Sequence, residues 1–424
     1  MSYIKNVIVR DLTILGQEGE IAKLGDNITT VLSIDYYESI FEPTFTFELT
    51  LVSNEDALTN LKLRGTETVS IEIEHQSGTL EFDDLILTSF VQNESVSTSN
   101  IFSIMLKPLS VVENEKNRLT QKYDNTVKAS THVENILKSN LKVDEDSMEV
   151  EETANNDGFF GNYWRPFKGI YWLARRAVSA SMPEDGGGTD RVGFLFWQTK
   201  SAYKFKSIDT MITDGKNDDV FEYTQNDTVS DNPNFDIYNP SFEYDQDIIG
   251  QMNNSMYGEN RSYFNLHTLQ VTKQRPFSKA NAKQAHLGDE EIVDLDVDIN
   301  ENPTRVTRVA ITDFTQRTDG TIDSGEGDYH PHKVISQSRM RYETLLSRSL
   351  KITIPCNIQL EAGDVISVKL IKTMAGNDEW LSGFYLIKDL RHTVHFRDNG
   401  IQSVSYTHLR AHETEADLVC RLLL

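Results

Sequence analysis

The chain has 424 residues, 38% of them hydrophobic and 25% charged, with 65 acidic residues against 41 basic ones and a formal net charge of -24. This composition fits a globular chain of two to four compact units at roughly one per 150 residues, rather than a disordered one, and the surplus of carboxylates argues against wrapping nucleic acid. No apolar run approaches the roughly 20 residues of a membrane-spanning helix, and the N-terminal stretch MSYIKNVIVRDLT lacks the basic region and apolar core of a signal peptide, so synthesis in the cytoplasm is expected.

Residues 1–112 read as strands. Phe45, Phe47, Leu49 and Leu51 alternate with Thr46, Glu48 and Thr50, and Val69, Ile71 and Ile73 alternate with Ser70, Glu72 and Glu74. Ile86, Phe102, Ile104 and Leu106 lie in similar segments. Period two marks strands with one buried face. Turns are expected at Ser77-Gly78 and over 93–99. Several short strands at this spacing predict an antiparallel barrel or sandwich.

The pattern changes in 113–215. Thr131 and Glu134 fit a capping box, and Val133, Ile136, Leu137 and Leu141 fall on one helical face. Residues 144–157 are acidic and poor in apolar side chains, which predicts a loop. In 162–180, NYWRPFKGIYWLARRAVSA, the residues Ile170, Leu173, Ala174, Ala177 and Val178 give a helical stripe, ended by Pro183 and Gly186 to Gly188. Residues 194–208, FLFWQTKSAYKFKSI, read as two strands around a turn at Lys200-Ser201. The unit is mixed α/β.

Residues 216–403 begin polar and weakly periodic, with an insertion around 245–345 and a loop rich in Gly, Asp and Thr over 313–327. A short helix is expected over 338–347 with Met340, Leu345 and Leu346 inward. Strands return over 350–354, 365–371, 384–390 and 392–396. No tandem repeat of the solenoid kind is present.

Little in the chain points to chemistry. The glycine cluster Gly186 to Gly188 is flanked by acids and followed by no lysine, so it does not make a phosphate loop, and no serine sits in a nucleophile elbow. Paired carboxylates carry no information about glycoside hydrolysis where there are so many. His330 and His332 in DYHPHK could meet a metal together with Asp328, although a surface loop is the simpler reading. The run 289–298, DEEIVDLDVD, resembles a calcium loop only in charge and alternates like an acidic strand. Cys356 and Cys420 are far apart, with no spacing for zinc or a disulfide framework, and Cys356 reads as a buried thiol. No catalytic, cofactor-binding or metal residues are assigned, and no enzymatic activity is expected.

Several local signatures stand in order along the chain. Tyr37-Glu38-Ser39-Ile40 precedes Pro43 and a strand, and Leu63-Arg64-Gly65-Thr66-Glu67 leads into Val69-Ser70-Ile71. In the middle, 171–180 is followed by the two strands of 194–208. Gly250 to Asn260 contains Met256-Tyr257-Gly258. Later come Leu360, Gly363-Asp364-Val365-Ile366, then Ser382-Gly383-Phe384-Tyr385-Leu386-Ile387, and His392. Together these resemble the central baseplate hub proteins of contractile-tailed phages, which are related to the spike hubs of secretion systems. Cys356-Asn357 departs from the pattern, which would have glycine before the asparagine. Without the resemblance, Gly65, Gly363 and Gly383 read as turn or bulge residues, and Trp164, Trp172, Phe194 and Trp197 as packing.

The resemblance implies a mainly β fold with a mixed α/β middle unit: two tail-tube-like antiparallel β-barrels, in 1–112 and 216–403, plus inserted domains. It implies a homotrimer that presents a pseudo-sixfold face to the tail tube or its initiator proteins and a threefold face to the central spike protein, surrounded by baseplate wedge proteins. The protein would be part of the virion, assembled in the host cytoplasm without membrane insertion. Genomic DNA would pass through unbound, along a lumen whose carboxylates repel phosphate. The alternatives are a secretion-system spike hub and a host-surface carbohydrate-binding tail protein.

The last residues have a resemblance of their own. Residues 404–424, VSYTHLRAHETEADLVCRLLL, resemble a translated sequencing adapter, with Glu415 and Ala416 in its variable index and 417–424 in its flow-cell end. On that reading, genuine coding sequence ends near Ser403 without the natural C-terminus, and His408, His412 and Cys420 have no functional weight. A tail helix is the ordinary alternative.

Overall fold

The structure is a computed structural model that describes residues 7–16, 19–23, 29–54, 65, 67–96, 99–181, 191–214, 216–224, 235–243, 248–254, 260–265, 269, 271–274, 307–312, 331–345, 348–372, 376–377, 382–397 and 400–411. It is mainly β, with a mixed α/β unit in the middle of the chain.

The first lobe comprises β1 (Ile8–Gly16), β2 (Gly19–Lys23), β3 (Thr29–Ser39), β4 (Thr46–Asn54), β5 (Thr68–His75), β6 (Gly78–Val96) and β7 (Ser99–Pro108). They lie in the order β3-β4-β7-β6-β5-β1-β2, and each neighbouring pair is antiparallel. The alternation read from the sequence places Phe47, Leu49 and Leu51, then Val69, Ile71 and Ile73, then Phe102, Ile104 and Leu106 inside. Strands distant in the sheet order share this core, and Phe82 of β6 packs on Phe45 and on Tyr36 of β3, with ring centroids 4.8 and 6.0 Å away. The sheet is therefore curled around its own apolar face, burying side chains that contribute about 1.5–3 kcal/mol each. Most of the turn expected over 93–99 is strand, since β6 runs to Val96.

The middle unit contains α1 (Ser110–Lys116), β8 (Lys122–Tyr123), α2 (Ala129–Leu141), β9 (Met148–Val150), β10 (Phe159–Phe160), α3 (Pro166–Ala174), β11 (Phe194–Gln198), β12 (Tyr203–Ser207) and α4 (Ile208–Asp214). The β11–β12 hairpin turns at Lys200-Ser201 as expected. Three local expectations need correction, and one segment explains all of them. The capping box is not used. α2 begins at Ala129, and its first free N–H groups are taken by the Asn155 carbonyl (3.3 Å) and Thr153 Oγ1 (3.0 Å). Residues 144–157 are accordingly not a free loop: β9 runs parallel to β12, and Thr153, Asn155 and Asp157 are buried. Asn155 also accepts from Val178 N and donates to the Arg176 carbonyl, both at 2.9 Å, which draws the chain out of helix. So α3 stops at Ala174, and Ala177 and Val178 are buried in extended backbone, Val178 bridging to Val192.

The remainder holds β13 (Lys216–Thr224), β14 (Ser241–Glu243), α5 (Ile248–Asn253), β15 (Asn260–Asn265), β16 (Val271–Gln274), β17 (Thr307–Thr312), α6 (Pro331–Leu345), β18 (Arg348–Pro355), β19 (Val365–Lys372), β20 (Gly376–Asn377), β21 (Gly383–Arg397) and β22 (Gly400–Ala411). Strands β15, β16 and β17 form a sheet of their own inside the polar insertion. The helix expected over 338–347 starts earlier, at Pro331, with Met340 and Leu345 buried and Leu346 outside the described residues. The strands expected over 384–390 and 392–396 are one strand, β21. Arg391 broke the pattern there because it pairs sideways with Asp35.

Strand β21 joins the two lobes. Gly383 to Leu386 pair with β19, and Asp389 to His395 pair with β3. The change of partner falls at an irregularity between Ile387 and Asp389. Asp35 on the seam accepts from Arg391 Nε (2.9 Å) and Thr393 Oγ1 (2.6 Å), and Ser39 Oγ donates to Asp389 (2.5 Å). Among the described residues, both lobes thus belong to a single sheet of fourteen strands. The adapter-like stretch enters it too. Val404 to Ala411 lie in β22 between β18 and β21, where buried Ser405 is hydrogen-bonded to His392 and to Asn357 N, and 412–424 lie outside the described residues. Among the described residues, no helix is long and apolar enough to cross a membrane.

Candidate functional site: a buried junction of three units

The most organised polar cluster lies where β3, the β11–β12 turn and the loop before β19 meet. Its centre is Glu38, buried near the end of β3. Tyr36 Oη donates to Glu38 Oε1 at 2.6 Å, Lys200 N donates to the same oxygen at 2.8 Å, and Ala362 N donates to Oε2 at 2.8 Å. One carboxyl group thereby ties the first lobe to the middle unit and the second lobe. Ile40, two residues on, packs with Leu195, Trp197, Ala362 and Leu386, so an apolar cluster underlies the polar one.

The loop carries a second carboxylate. Glu361 accepts from Lys204 Nζ (2.6 Å), Thr199 Oγ1 (2.9 Å) and Ser201 Oγ (2.9 Å), while its own N–H donates to Asp364 at 2.9 Å. Lys200 Nζ donates to the Ile358 carbonyl. Trp197 Nε1 donates to the Ala362 carbonyl at 2.9 Å, and its ring lies against Gly363. A Cβ there would stand 2.7 Å from Trp197 Cζ2, at a φ of +98°, so both space and backbone require glycine.

The charges follow from burial and contact. Burial lifts the Glu38 carboxyl from its ordinary value to about 7, against the lowering pull of Tyr36 and the two N–H donors. Burial also raises Glu361, but Lys204 beside it wins and leaves it below its usual range. His392, stacked parallel to Tyr36 at 6.0 Å, is pushed by burial, and then by the charge of Lys200, down to about 3 and is neutral near pH 7. These groups suit orientation rather than reaction, since each is engaged in holding another part of the chain.

A second anchor was not visible in the sequence. Arg341 of α6 and Asp209 of α4 form a fully buried ion pair at 3.3 Å, and Tyr342 Oη donates to the Phe194 carbonyl at 2.6 Å. Nothing in SRMRYETL distinguishes this arginine from a solvated one.

The other candidate residues separate. Cys356 is a buried thiol, as read from its pattern. With Tyr36, Ile358 and His392 it lines a cavity of about 10 Å³, room for one water at most, whereas ligand pockets run to roughly 300–1,000 Å³. His332 lies in the first turn of α6, and Asp328 and His330 fall outside the described residues, as do Gly186 to Gly188 and 289–298. Among the described residues, no group of three or more His, Cys, Asp or Glu side chains is placed to hold a metal.

Of the residues that carried the resemblance, Glu38 and Ile40, the 194–208 hairpin, Gly363-Asp364 and His392 converge on this junction, whereas Leu63, Arg64, Thr66 and Met256 to Gly258 lie outside the described residues. No protein-family model and no curated protein sequence matches the chain. Solved structures do. A tail protein from Neisseria meningitidis MC58 is similar at a TM-score of 0.54 and 9% identity, covering 96% of each chain. The 43 kDa tail protein of prophage MuSo2 from Shewanella oneidensis is similar at 0.51 and 7% identity, covering 94% of this chain and 97% of its own. The chain shares the fold of these tail proteins along nearly its whole length.

Proposed function

We propose that this protein is a structural hub subunit of a contractile phage-tail baseplate, joining the tail tube to the central spike and lining the DNA conduit. The observation that carries the reading is the end-to-end correspondence of fold with two tail proteins, one of them from a prophage. The junction supports it. A part that transmits docking between a tube and a spike must keep two tube-like lobes in fixed relation, and here a shared strand, Glu38 and the Trp197–Gly363 contact all serve that end. The role is one of shape rather than catalysis. On this reading the protein is a homotrimer within the virion, in contact with tube or tube-initiator, spike and wedge proteins, and its acidic surplus keeps passing DNA from sticking.

Light scattering on the purified chain is the direct test. A mass of three subunits is expected, and in a reconstruction of the ring the acidic side chains should line the lumen. A stable monomer in the presence of the spike protein, or a basic lumen, would overturn the proposal. Depolymerisation of a host-surface glycan would move it to the carbohydrate-directed class.

A further inference from the structure

A strip of the middle unit, away from the junction, combines exposed aromatic rings with lysines. Phe160 is 63% exposed and Tyr163 76%. The strip is rigid. Phe160 lies opposite Lys122 in the β8–β10 pair, and Tyr163 N donates to the Leu119 carbonyl at 3.0 Å. A Cβ on Gly161 would stand 2.2 Å from that carbonyl oxygen. Asn162 and Tyr163 both hold left-handed backbone, φ 47° and 55°, a conformation bulky residues rarely adopt. Trp164 and Trp172 lie behind, their rings 6.0 Å apart. Among the described residues, neither Lys122 nor Lys168 forms an ion pair, although the Asp124 carboxyl is near enough to feel the charge of Lys122, and Arg165 meets Glu115 at an exposed 2.9 Å.

We infer that this strip is a docking surface for an acidic segment of a partner protein, with Tyr163 as the preorganised anchor and Lys122 and Lys168 as the charges that receive carboxylates. Charge argues for such an occupant. The chain carries -24 overall, so an acidic partner is repelled by most of it and attracted here, which directs as well as holds. A rigid, exposed tyrosine lowers the entropy lost on binding and is a typical hot-spot residue. Aromatic rings with lysines also suit single-stranded nucleic acid, but here one face of each of three rings already carries a cation. Lys122 Nζ lies 5.8 Å over Phe160, Lys168 Nζ 5.1 Å over Trp164, and the Arg176 guanidinium 3.6 Å over Trp172, which leaves those faces unavailable to stacking bases.

The test titrates the full chain at low salt with poly-L-glutamate and, separately, with an oligothymidylate, using the fluorescence of Trp164 and Trp172. Saturable binding of poly-L-glutamate is expected, weakened at least about tenfold by Tyr163→Ala and by the pair Lys122→Glu and Lys168→Glu. Circular dichroism shows whether each variant keeps its fold, and Lys122→Gln with Lys168→Gln serves as a milder pair. No binding of poly-L-glutamate, equal binding by folded variants, or tighter binding of the oligothymidylate would each overturn the inference.

Discussion

The two lobes belong to one sheet, yet they are assembled differently. In the first, every neighbouring pair of strands is antiparallel, and its core is drawn almost wholly from β1 to β7. In the second, β13 runs parallel to β19, about 150 residues further on, and a separate small sheet interrupts the chain between them. The second lobe also lends Cys356, Ile358 and Val394 to the first lobe's core, whereas among the described residues none of the first lobe joins the cluster around Phe221 and Leu350. The first lobe is one run of chain, antiparallel throughout and finished by a few side chains from the second, whereas the second is completed around distant segments and holds its orientation through the junction.

The sharpest way to break that arrangement is at Gly363. Gly363→Ala forces a Cβ into the Trp197 ring at positive φ, and a loss of about 4 kcal/mol is expected from strain and overpacking together. Denaturant unfolding measures the loss, and the emission of Trp197 should shift to the red in the folded variant. Next come cavities in the two cores. Leu49→Ala in the first lobe and Leu350→Ala in the second should each cost about 3 kcal/mol, both residues being fully buried. If the shared sheet makes the lobes cooperative, both variants move one calorimetric transition. Two separable transitions, each sensitive to only one variant, would show the lobes to be thermodynamically independent.

A smaller effect concerns Glu38 and pH. Its carboxyl is raised from 4.5 to about 7 in the folded protein, mainly by burial. Folding therefore takes up a proton here, and the stability this contributes is complete below the unfolded value and lost as pH rises through the folded one. Glu38→Gln should gain on the wild type by on the order of 1–3 kcal/mol between about pH 4.5 and about pH 8. His392, held at about 3, acts in the opposite sense as pH falls, but it is common to both proteins and cancels in the difference. A difference that stayed flat across that window would mean that Glu38 is ionised throughout. The smallest effect is expected at the exposed pair Arg10–Glu74, 2.6 Å apart on the first lobe. Arg10→Ala should cost at most about 1 kcal/mol, and salt should abolish even that.

These differences explain what the sequence could disclose. The first lobe was legible because each strand has one wet face, so Phe47, Leu49 and Leu51 advertise themselves by alternation. Strand β21 was read as two pieces because Arg391 serves the seam rather than the core. Residues 144–157 looked like a loop because their work is polar: Thr153 and Asn155 satisfy backbone groups of α2 and of the chain after α3, and no periodicity encodes that. The junction was visible only as scattered motifs. Glu38 on a strand and Lys200 and Ala362 on two separate turns are brought together only by the fold, and a buried glutamate has the same letter as a solvated one. The anchoring role of Arg341 left no local trace at all, since its partner Asp209 lies 132 residues away.

The seam between β3 and β21 also sets a timetable. Ser39 and Asp389, hydrogen-bonded across it, are 350 residues apart. At the usual pace of about 5–20 residues per second, the ribosome finishes β3 roughly 20–70 s before its neighbour exists. Throughout that interval β3 has an open edge, the kind of template on which nascent chains stick to one another. Asp35 stands on that edge, and a carboxylate there discourages a stranger's strand from pairing. When β21 arrives it brings Arg391 and Thr393 to the same carboxylate. The residue that guards the edge during synthesis is then the one by which the late strand is recognised.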